Sequence, residues 1–363
     1  MLWVFWLCLI ITLTYILSEV TLLFAIRNIS ESSKNHHYRN ISVIIAAKNE
    51  AENLKQFLPF ILNQSYPNFE VIAVDDHSKD ESKQVLKELQ AKNSHLRVIE
   101  NQSESSKKKA IKKGIKAAKY DVLVFTDADC KPISNDWLKY MNSQCLENNS
   151  IILGYSPYTK TKAWINKIIR FETYKTALNY FGFAKLGSAY MGVGRNLAYS
   201  KAIFEELKGF ESHKLVLSGD DDLFVNQAAR KYAVRCCLNQ ESFVQSEPKH
   251  NLKDWVDQKR RHISTANHYN FKHQLILTFQ FMLKFLFWFF VLPFSIYFFI
   301  LNQHSLLVLV IFSGCFKMIY SKFVYSKLLV QDLWKTSLIL EFQLICLQLY
   351  IFGLNLFSPK KDW

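Results

Sequence analysis

Acidic residues stand at two points where a short apolar segment gives way to a polar loop. Asp127 and Asp129 form one group, and Asp75 and Asp76 form another. An Asp-x-Asp sequence directly after a strand points two carboxylates the same way, close enough to share one hard divalent cation. Such a cation completes its shell with water and substrate phosphates. We therefore predict that Asp127 and Asp129 bind Mg²⁺ or Mn²⁺ against a diphosphate, although a solvated acidic loop has the same composition.

A third acidic group, Asp220 to Asp222, precedes a segment with apolar residues at helical spacing. Three consecutive carboxylates repel one another, so their pKa values rise unless a cation or a helix cap relieves them. A carboxylate of raised basicity suits a general base that takes a proton from a hydroxyl group. The alternative is that these acids complement the dipole of the helix N-terminus.

Two basic groups supply the opposite charge. Lys107, Lys108 and Lys109 begin a predicted helix, where cations oppose the helix dipole and an anionic ligand would compensate them. A second group, QKRRH at residues 258–262, precedes the apolar C-terminal part of the chain. Both groups fit phosphate binding, and they also fit a solvated helix face or a helix on a membrane surface.

Segments rich in β-branched residues alternate with segments of helical periodicity in the middle of the chain. The predicted strands are Ile41 to Ala46, Glu70 to Val74, Leu96 to Ile99, Asp121 to Phe125 and Ile151 to Leu153. This order indicates an α/β fold with a doubly wound, mostly parallel, Rossmann-like sheet. Such sheets bind ligands at the carboxyl ends of their strands, where the acidic groups lie.

The composition excludes several classes of protein. With 363 residues, of which 50% are hydrophobic and 21% charged, the chain is neither disordered nor a small disulfide-stapled protein. Its formal net charge of +14 suits a phosphate-bearing ligand or an anionic membrane. Nucleic acid is not a predicted partner, because the basic residues are spread among acidic ones and form no recognisable reading motif.

The seven cysteines form no Cys-x-x-Cys pair and are interpreted as reduced thiols of a cytosol-facing protein. Cys145 is one of those in the polar middle of the chain. Cys236 and Cys237 are interpreted as two small residues of a buried strand, with a redox switch as the alternative.

Both ends of the chain contain long apolar segments. The predicted spans are Leu2 to Ile26, Phe285 to Leu301, Leu306 to about Ile319 and Leu338 to Phe357, with a kink at Pro293. The third of these spans is short, and an interfacial helix is its alternative; residues 275–284 also fit the membrane interface. Lysine and arginine follow the first span and crowd the connection before the last, which places the middle of the chain in the cytoplasm.

The predicted organisation is therefore an anchor over residues 1–26, a cytoplasmic domain over residues 27–273, and about three interfacial or transmembrane helices over residues 274–363. The predicted location is a bacterial-type plasma membrane.

Six ordered segments carry a family resemblance. They are ISVIIAAKNE (41–50), FEVIAVDDHS (69–78), TDAD (126–129), GVGRNLAY (192–199) followed by GF (209–210), SGDDDL (218–223) and QKRRH (258–262). In this order they resemble the motifs of membrane-bound family 2 glycosyltransferases, in the branch of the cellulose, hyaluronan and poly-N-acetylglucosamine synthases. The resemblance covers residues 41–262 and implies a GT-A fold.

The resemblance also implies an inverting, metal-dependent transfer of a sugar from a nucleotide-sugar donor. Asp127 and Asp129 match the metal-binding DxD motif, and Asp220 matches the general base, with Asp221 as the second candidate. The implied donor contacts are Ala46, Asn49, Glu50, Asp75, Asp76, Lys108, Asp127, Gln258 and Arg261. The implied acceptor contacts are Gly194, Arg195, Asn196 and His262.

Two residues depart from the family pattern. Gly219 stands where an acid normally precedes the catalytic aspartate, and His262 stands where the family has a tryptophan that helps to bind the acceptor sugar. The second departure and the short membrane portion favour a single transfer, to a lipid or lipid-linked sugar, over processive synthesis. The alternatives are a phosphodolichol-type transferase that acts on a lipid phosphate and a non-catalytic membrane protein that binds sugar nucleotides.

Overall fold

The computed structural model describes residues 2–30, 38–144, 150–216 and 218–357. Cys145 lies outside these residues. Over the described chain there are two compact units, of which one contains residues 29–159 and 184–249 and the other contains residues 2–28, 160–183 and 250–357. We call them the sheet unit and the helical unit. The sequence predicts one continuous domain over residues 27–273, whereas the sheet unit lacks residues 160–183 and ends at residue 249.

A seven-stranded sheet forms the centre of the sheet unit. Its strands are β1 (Ile41–Ala47), β2 (Phe69–Asp75), β3 (Leu96–Glu100), β4 (Val122–Phe125), β6 (Ser150–Gly154), β7 (Leu197–Ser200) and β8 (Ala233–Cys237). Their order is β3-β2-β1-β4-β7-β6-β8, and β7 alone among them runs antiparallel to its neighbours. A two-stranded sheet pairs β5 (Cys130–Pro132) with β9 (Val244–Ser246).

The doubly wound, mostly parallel sheet is thus confirmed. Each of the five predicted strands is present with bounds that differ by at most one residue at either end. β7 and β8 are missing from the prediction. Cys236 and Cys237 lie at the end of β8, as interpreted, but the strand is partly exposed, with Cys237 buried and Cys236 half-buried.

Helices cover the sheet and fill the connections of this unit. They are α2 (Ala51–Leu62), α3 (Ser82–Lys92), α4 (Lys107–Ala117), α5 (Trp137–Ser143), α7 (Lys201–Glu206) and α8 (Asp222–Ala228). The apolar face of α2 is buried, with Leu54 and Leu58 at most 1% exposed. These helices bury the β-branched strands on both faces, which is the usual arrangement of a parallel sheet.

The helical unit contains α1 (Leu2–Arg27), most of α6 (Trp164–Lys185), α9 (Leu252–Ala266), α10 (Phe271–Leu286), α11 (Leu292–Ile300), α12 (Ser305–Lys327) and α13 (Ser337–Phe357). Among the described residues, four helical stretches are long and apolar enough to cross a membrane, namely Leu2–Arg27, Phe271–Ile300, Ser305–Lys327 and Gln331–Phe357. They contain three of the four predicted spans in full, and the second stretch ends one residue before the predicted end at Leu301.

The second of these stretches is longer than the predicted span. Residues 275–284, which fit an interfacial helix by sequence, continue without a break into the apolar residues that follow. A π-helical turn, Phe287–Val291, precedes Pro293 in the first turn of α11. Proline has no N–H to donate to the preceding turn, and the wider π-turn accommodates this loss.

Candidate active site

The carboxyl ends of β1, β2 and β4 meet at one edge of the sheet. β1 pairs in parallel with both neighbours, with Ala47 opposite Asp75 and Ile44 opposite Phe125. The loops that follow these strands therefore leave the sheet side by side. A cleft at this edge has about 330 Å³ of empty volume, including open solvent, and its lining includes Ala46, Lys107, Asp127, Gly194, Asp220 and Asp221.

Lys107 joins two of the predicted acidic groups across this cleft. Its Nζ lies 2.9 Å from Asp127 Oδ1 and 3.4 Å from Asp220 Oδ2. Burial by itself would lower the pKa of Lys107, but Asp127, Asp220 and Asp221 together raise it well above its ordinary value. The lysine is therefore a cation held between carboxylates from two distant parts of the chain.

Lys108 has a different role from the donor contact that the sequence predicts. It is 6% exposed, and its Nζ donates to the backbone oxygens of His213 at 2.8 Å and Val216 at 2.7 Å. Since both hydrogen bonds go to one loop, Lys108 fastens that loop to α4. The lysine of this run that lines the cleft is Lys107, which is not among the predicted donor contacts.

Asp127, Asp129 and Cys130 offer ligand atoms that all lie within 4.8 Å of one another. Burial raises the pKa of Asp129, and the carboxylate of Asp127 raises it further. Burial and the same carboxylates hold the pKa of Cys130 well above its usual range, so its sulfur is a protonated thiol that donates to Asp129 Oδ1 at 3.2 Å. Two carboxylates without a thiolate are the donors that a hard divalent cation prefers.

Asp221 is fixed by backbone donors at both of its oxygens. Oδ1 accepts from the N–H of Asp222 at 2.7 Å, and Oδ2 accepts from the N–H of Gly194 at 2.7 Å. Burial, followed by repulsion from Asp220 and Asp222, raises its pKa to about 7. Asp221 is also the N-cap of α8, so the helix-dipole explanation of the acidic run holds for this residue.

Asp220 is 9% exposed and faces Lys107. It differs from Asp221 in that no backbone hydrogen bond to its carboxylate is seen in the described chain. Of the three consecutive acids, Asp220 is therefore the one whose side chain is available for chemistry in the cleft.

The backbone conformation explains why a glycine precedes Asp220. Gly219 has φ +96°, and a Cβ placed on it would lie 2.5 Å from Leu223 Cδ1. An acidic side chain at this position would be strained and would collide with the first turn of α8. The departure from the family pattern is thus part of the way in which this chain presents Asp220.

Asp75 and Asp76, at the end of β2, have different surroundings. Asp75 is 5% exposed, and its Oδ1 is buried without a hydrogen-bond partner among the residues that the structure describes. Asp76 accepts from Asn101 Nδ2 at 2.6 Å and from Ser105 Oγ at 3.0 Å. Asp76 therefore holds the next loop in place, whereas Asp75 retains an oxygen that a ligand can use.

The loop after β1 is tied to the loop after β2. Asn49 has φ +57°; its N–H donates to Ser78 Oγ at 2.9 Å, and its Oδ1 accepts from the N–H of Lys79 at 2.8 Å. The carboxylate of Asp80 accepts from the N–H groups of Ala51 and Ser82, so it serves the first turns of both α2 and α3. The predicted donor contact Asn49 therefore uses its side-chain oxygen to join the two loops.

Glu50, the next residue after Asn49, is half-buried and accepts from Asn53 Nδ2 at 2.5 Å. Burial raises the pKa of Glu50, and the carboxylates of Asp129 and Asp127 raise it further. This coupling places Glu50 in the electrostatic environment of the acidic pair.

The three predicted acceptor residues of the sheet unit have three different environments. Gly194 lines the cleft and binds Asp221. Arg195 lies over the ring of Tyr158 at 4.4 Å, and its Nη1 is buried without a hydrogen-bond partner in the described part of the chain. Asn196 is fully buried and cannot contact an acceptor, because its amide bonds Trp137, Tyr155 and Ser242 in the core.

Gln258, Arg261 and His262 lie on α9, which belongs to the helical unit. Their donor and acceptor roles stay predictions from the resemblance. Gln258 and Arg261 are half-buried on this helix, and His262 is exposed.

Comparison with known proteins identifies a family for much of the sheet unit and for residues 160–183 of the helical unit. Residues 42–208 match the model of the family described as glycosyl transferase family 2. They are a family 2 glycosyltransferase domain. The match begins in β1 and includes the acidic pair Asp127 and Asp129, together with Gly194 of the cleft.

Two curated relatives illustrate the sequence similarity of the chain. The chain is 32% identical over 101 residues to glycosyltransferase AglE of Haloferax volcanii, and the match covers 27% of this chain and 33% of that protein. The chain is 28% identical over 103 residues to a poly-beta-1,6-N-acetyl-D-glucosamine synthase of Staphylococcus epidermidis, and this match covers 28% of this chain and 25% of that protein. The matched segments thus span a quarter to a third of these relatives.

The chain is also similar to a solved structure, the mannosyltransferase PcManGT from Pyrobaculum calidifontis in complex with GDP-Man and Mn²⁺. The TM-score is 0.54 and the sequence identity 15%, over 92% of this chain and 98% of that chain. An identity this low supports the fold alone. The fold of the glycosyltransferase domain is of the GT-A type, as the resemblance implies.

Proposed function

We propose that the protein transfers a sugar from a nucleotide-sugar donor to a membrane-associated acceptor, with inversion at the anomeric carbon. The observation that carries this proposal is the contact of Lys107 with both Asp127 and Asp220. The contact brings a candidate diphosphate site and a candidate general base to one cleft. A glycosyl transfer needs both groups within reach of one substrate.

The donor diphosphate lies beside Asp127 and Asp129 in this proposal. Their oxygen atoms fit a divalent cation, Mg²⁺ or Mn²⁺, which when bound would neutralise charge on the departing nucleotide. The Mn²⁺ of the PcManGT complex is consistent with this choice of ligands. Lys107 adds a second positive charge at the same place, since its Nζ already contacts Asp127.

The nucleoside part of the donor lies toward the loops after β1 and β2. Asp75 supports this placement, because its unpartnered Oδ1 accepts a hydrogen bond from a base or ribose without losing an existing one. Ala46 also lines the cleft. It lies on β1, between β2, which ends at Asp75, and β4. An assay with UDP-, GDP- and dTDP-sugars identifies the sugar and the nucleotide base of the donor.

Asp220 takes the proton from the acceptor hydroxyl group as that oxygen attacks the anomeric carbon from the face opposite the nucleotide. Asp221 positions Asp220, because it is the next residue in the chain and backbone N–H groups hold both of its carboxylate oxygens. The attack forms the new glycosidic bond, and the bond to the nucleotide breaks with its electron pair on the diphosphate.

A lipid or lipid-linked acceptor is supported by the four apolar helical stretches on either side of the glycosyltransferase domain in the sequence. Their connections carry more lysine and arginine on the side of this domain, which supports a cytoplasmic active site. We therefore propose a lipid or lipid-linked acceptor and an active site on the cytoplasmic side of the membrane.

The test uses full-length protein in purified membranes, supplied with UDP-, GDP- and dTDP-sugars in turn, and measures nucleotide release. We expect one donor to be hydrolysed or transferred only when Mg²⁺ or Mn²⁺ is present, and EDTA to stop the reaction. Asp220→Asn should lower turnover by roughly 10² to 10⁴ and leave donor binding largely intact. Asp127→Ala should weaken donor binding itself.

Glu52→Gln is the matched control, because Glu52 is an exposed carboxylate at the start of α2. Full turnover by Asp220→Asn with the correct acceptor would contradict the role of the base. Activity that survives chelation would contradict the metal site.

A further inference from the structure

Arg195 is a half-buried cation of the sheet unit that has no counter-ion in the described part of the chain. Its Cζ lies 4.4 Å from the centre of the Tyr158 ring, and its Nη1 is buried without a hydrogen-bond partner among the described residues. A charged N–H group that has lost water and gained no acceptor is costly. An anionic ligand that accepts from this group would offset the cost.

The backbone next to Arg195 is fixed by the core. Asn196 is fully buried, and its Nδ2 donates to the backbone oxygens of Tyr155 and Ser242, each at 2.9 Å. The ring of Tyr158 supports the guanidinium from one face. The guanidinium is therefore held in place before a ligand binds, which lowers the entropic cost of binding.

Tyr158 connects Arg195 to the acidic pair. Tyr158 forms a β-bridge with Ser246 of β9, and Ser246 is the partner of Cys130 in β5. Tyr158 thus lies two strand spacings, roughly 10 Å, from Cys130. Asp129 directly precedes Cys130. Burial raises the pKa of Asp129, and the charge of Arg195 acts in the opposite direction, as expected for a cation in its vicinity.

The acidic pair therefore has a cation near each of its members. Lys107 Nζ contacts Asp127 at 2.9 Å, and Arg195 lies on the side of Asp129. The two cations differ in chemistry, because an ammonium group is a point charge, whereas the planar guanidinium donates two parallel N–H groups to one phosphate. Such a fork suits a phosphate that is held beside the acidic pair.

The loop that carries Arg195 also reaches the candidate base. The N–H of Gly194 donates to Asp221 Oδ2 at 2.7 Å, and Gly194 lines the same cleft as Asp220. In the proposed function the base faces the anomeric carbon, which is bonded to the β-phosphate, while the nucleoside lies toward Asp75. The β-phosphate is therefore the phosphate on the side of Arg195.

We propose that Arg195 binds the β-phosphate of the donor and makes the site selective for nucleoside diphosphates over monophosphates. As the bond to the sugar breaks, its electron pair goes to a β-phosphate oxygen, and the guanidinium neutralises this charge. The inference rests on the proposed function. It differs from the acceptor contact that the family resemblance implies for Arg195.

The test is calorimetric titration of the full-length protein with UDP, GDP and dTDP and with the corresponding nucleoside monophosphates, in the presence of Mg²⁺. Arg195→Met should weaken binding of the preferred diphosphate by about 10- to 100-fold and leave binding of its monophosphate unchanged. Arg195→Lys retains the charge without the fork, so its loss of diphosphate affinity should be smaller. Arg195→Lys also serves as the folded comparison if Arg195→Met is unstable.

A second measurement separates a phosphate contact from an effect on the metal ligands. Arg195→Met removes a positive charge near Asp129, so Mn²⁺ binding without nucleotide, followed by electron paramagnetic resonance, should be unchanged or tighter. Weaker Mn²⁺ binding would contradict the proposal. Arg230→Met is the matched control, because Arg230 is an exposed arginine of the same unit, and it should bind both nucleotides and Mn²⁺ as the unmodified protein does.

Two further results would overturn the proposal and leave the proposed function in place. An equal loss of affinity for the diphosphate and the monophosphate would show that Arg195 only shapes the cleft. Unchanged diphosphate affinity together with a higher KM for the acceptor would return Arg195 to the acceptor side. If the unmodified protein binds no nucleotide at all, the proposed function is contradicted, and this inference fails with it.

Discussion

The carboxylate of Asp221 accepts a hydrogen bond from the backbone N–H of Gly194 at 2.7 Å, although the two residues are 27 positions apart in the chain. The contact joins the N-terminus of α8 to the loop before β7. It holds a carboxyl group whose pKa is raised to about 7 next to Asp220, the proposed base.

Asp221 should make the stability of the protein depend on pH. Its pKa in the folded state, about 7, lies above the ordinary value of 3.8, so the folded state holds the proton more tightly than the unfolded state does. Its contribution to the free energy of unfolding is therefore greatest at low pH and falls as pH rises through 7. Asp221→Asn retains an N-cap but cannot ionise, so its unfolding temperature should fall less between pH 5 and pH 8. Parallel curves for the two proteins would contradict this assignment.

Lys107 and Lys108 provide a matched pair of substitutions on one helix. Lys107→Met should lower turnover by about 10² to 10³, because it removes a cation from the diphosphate side of the cleft, and it should also lower the unfolding temperature, because Asp127 and Asp220 lose their counter-charge. Lys108→Met should lower the free energy of unfolding by about 1 to 3 kcal/mol, because the carbonyl of Val216 loses its lysine donor and the carbonyl of His213 keeps only the N–H of Val216. Turnover and thermal unfolding, measured for both variants, check the prediction. Loss of turnover in Lys108→Met alone would reverse the two roles.

Asp75 and Asp76 should separate nucleotide binding from folding. Asp75→Ala removes the unpartnered oxygen, so we expect nucleotide affinity to fall by about tenfold and stability to stay constant or to increase slightly. Asp76→Ala removes the acceptor of Ser105 and the nearer of the two acceptors of Asn101 Nδ2, so the main loss should be in stability. Calorimetric titration with the preferred nucleotide and thermal unfolding distinguish the two effects. Unchanged nucleotide affinity in Asp75→Ala would remove that residue from the donor site.

Gly219 should not tolerate a side chain. Gly219→Ala places a Cβ at φ +96° and 2.5 Å from Leu223 Cδ1, so we expect the free energy of unfolding to fall by about 1 to 3 kcal/mol. Turnover should fall as well, because Asp220 is the next residue. Gly314→Ala is the control, since nothing lies within 4 Å of the Cβ position in the middle of α12. Equal stability of the two variants would contradict the explanation given for Gly219.

The sheet could be predicted because its strands are buried on both faces and therefore have uninterrupted β-branched segments. Val71 and Ile72 of β2, for example, are fully buried. β7 is harder to find, since its sequence, LAYS, is four residues long and contains no β-branched residue. β8 is partly exposed and begins with an exposed alanine, so its pattern is weaker still.

The site was predictable where position in the chain determines position in space. Residues just after a parallel strand must lie at one edge of the sheet, which places Asp75 and Asp127 there. The choice between Lys107 and Lys108 depends on which way each side chain points from α4, and successive helix residues point about 100° apart. The prediction for Asn196 is wrong for a similar reason, because a polar residue in a motif gives no sign that its amide bonds three core groups.

The chain passes from the sheet unit into the helical unit at residue 160 and returns at residue 184. This has a practical consequence for the design of protein fragments. Residues 160–183 pack in the helical unit, although the chain before and after them builds the sheet. A fragment over residues 29–249 would therefore expose Arg170 and Lys175 without Asp332, Glu19 and Glu341, the acids that pair with them. A fragment limited to the sheet unit should instead have residues 160–183 replaced by a short polar linker that joins residue 159 to residue 184.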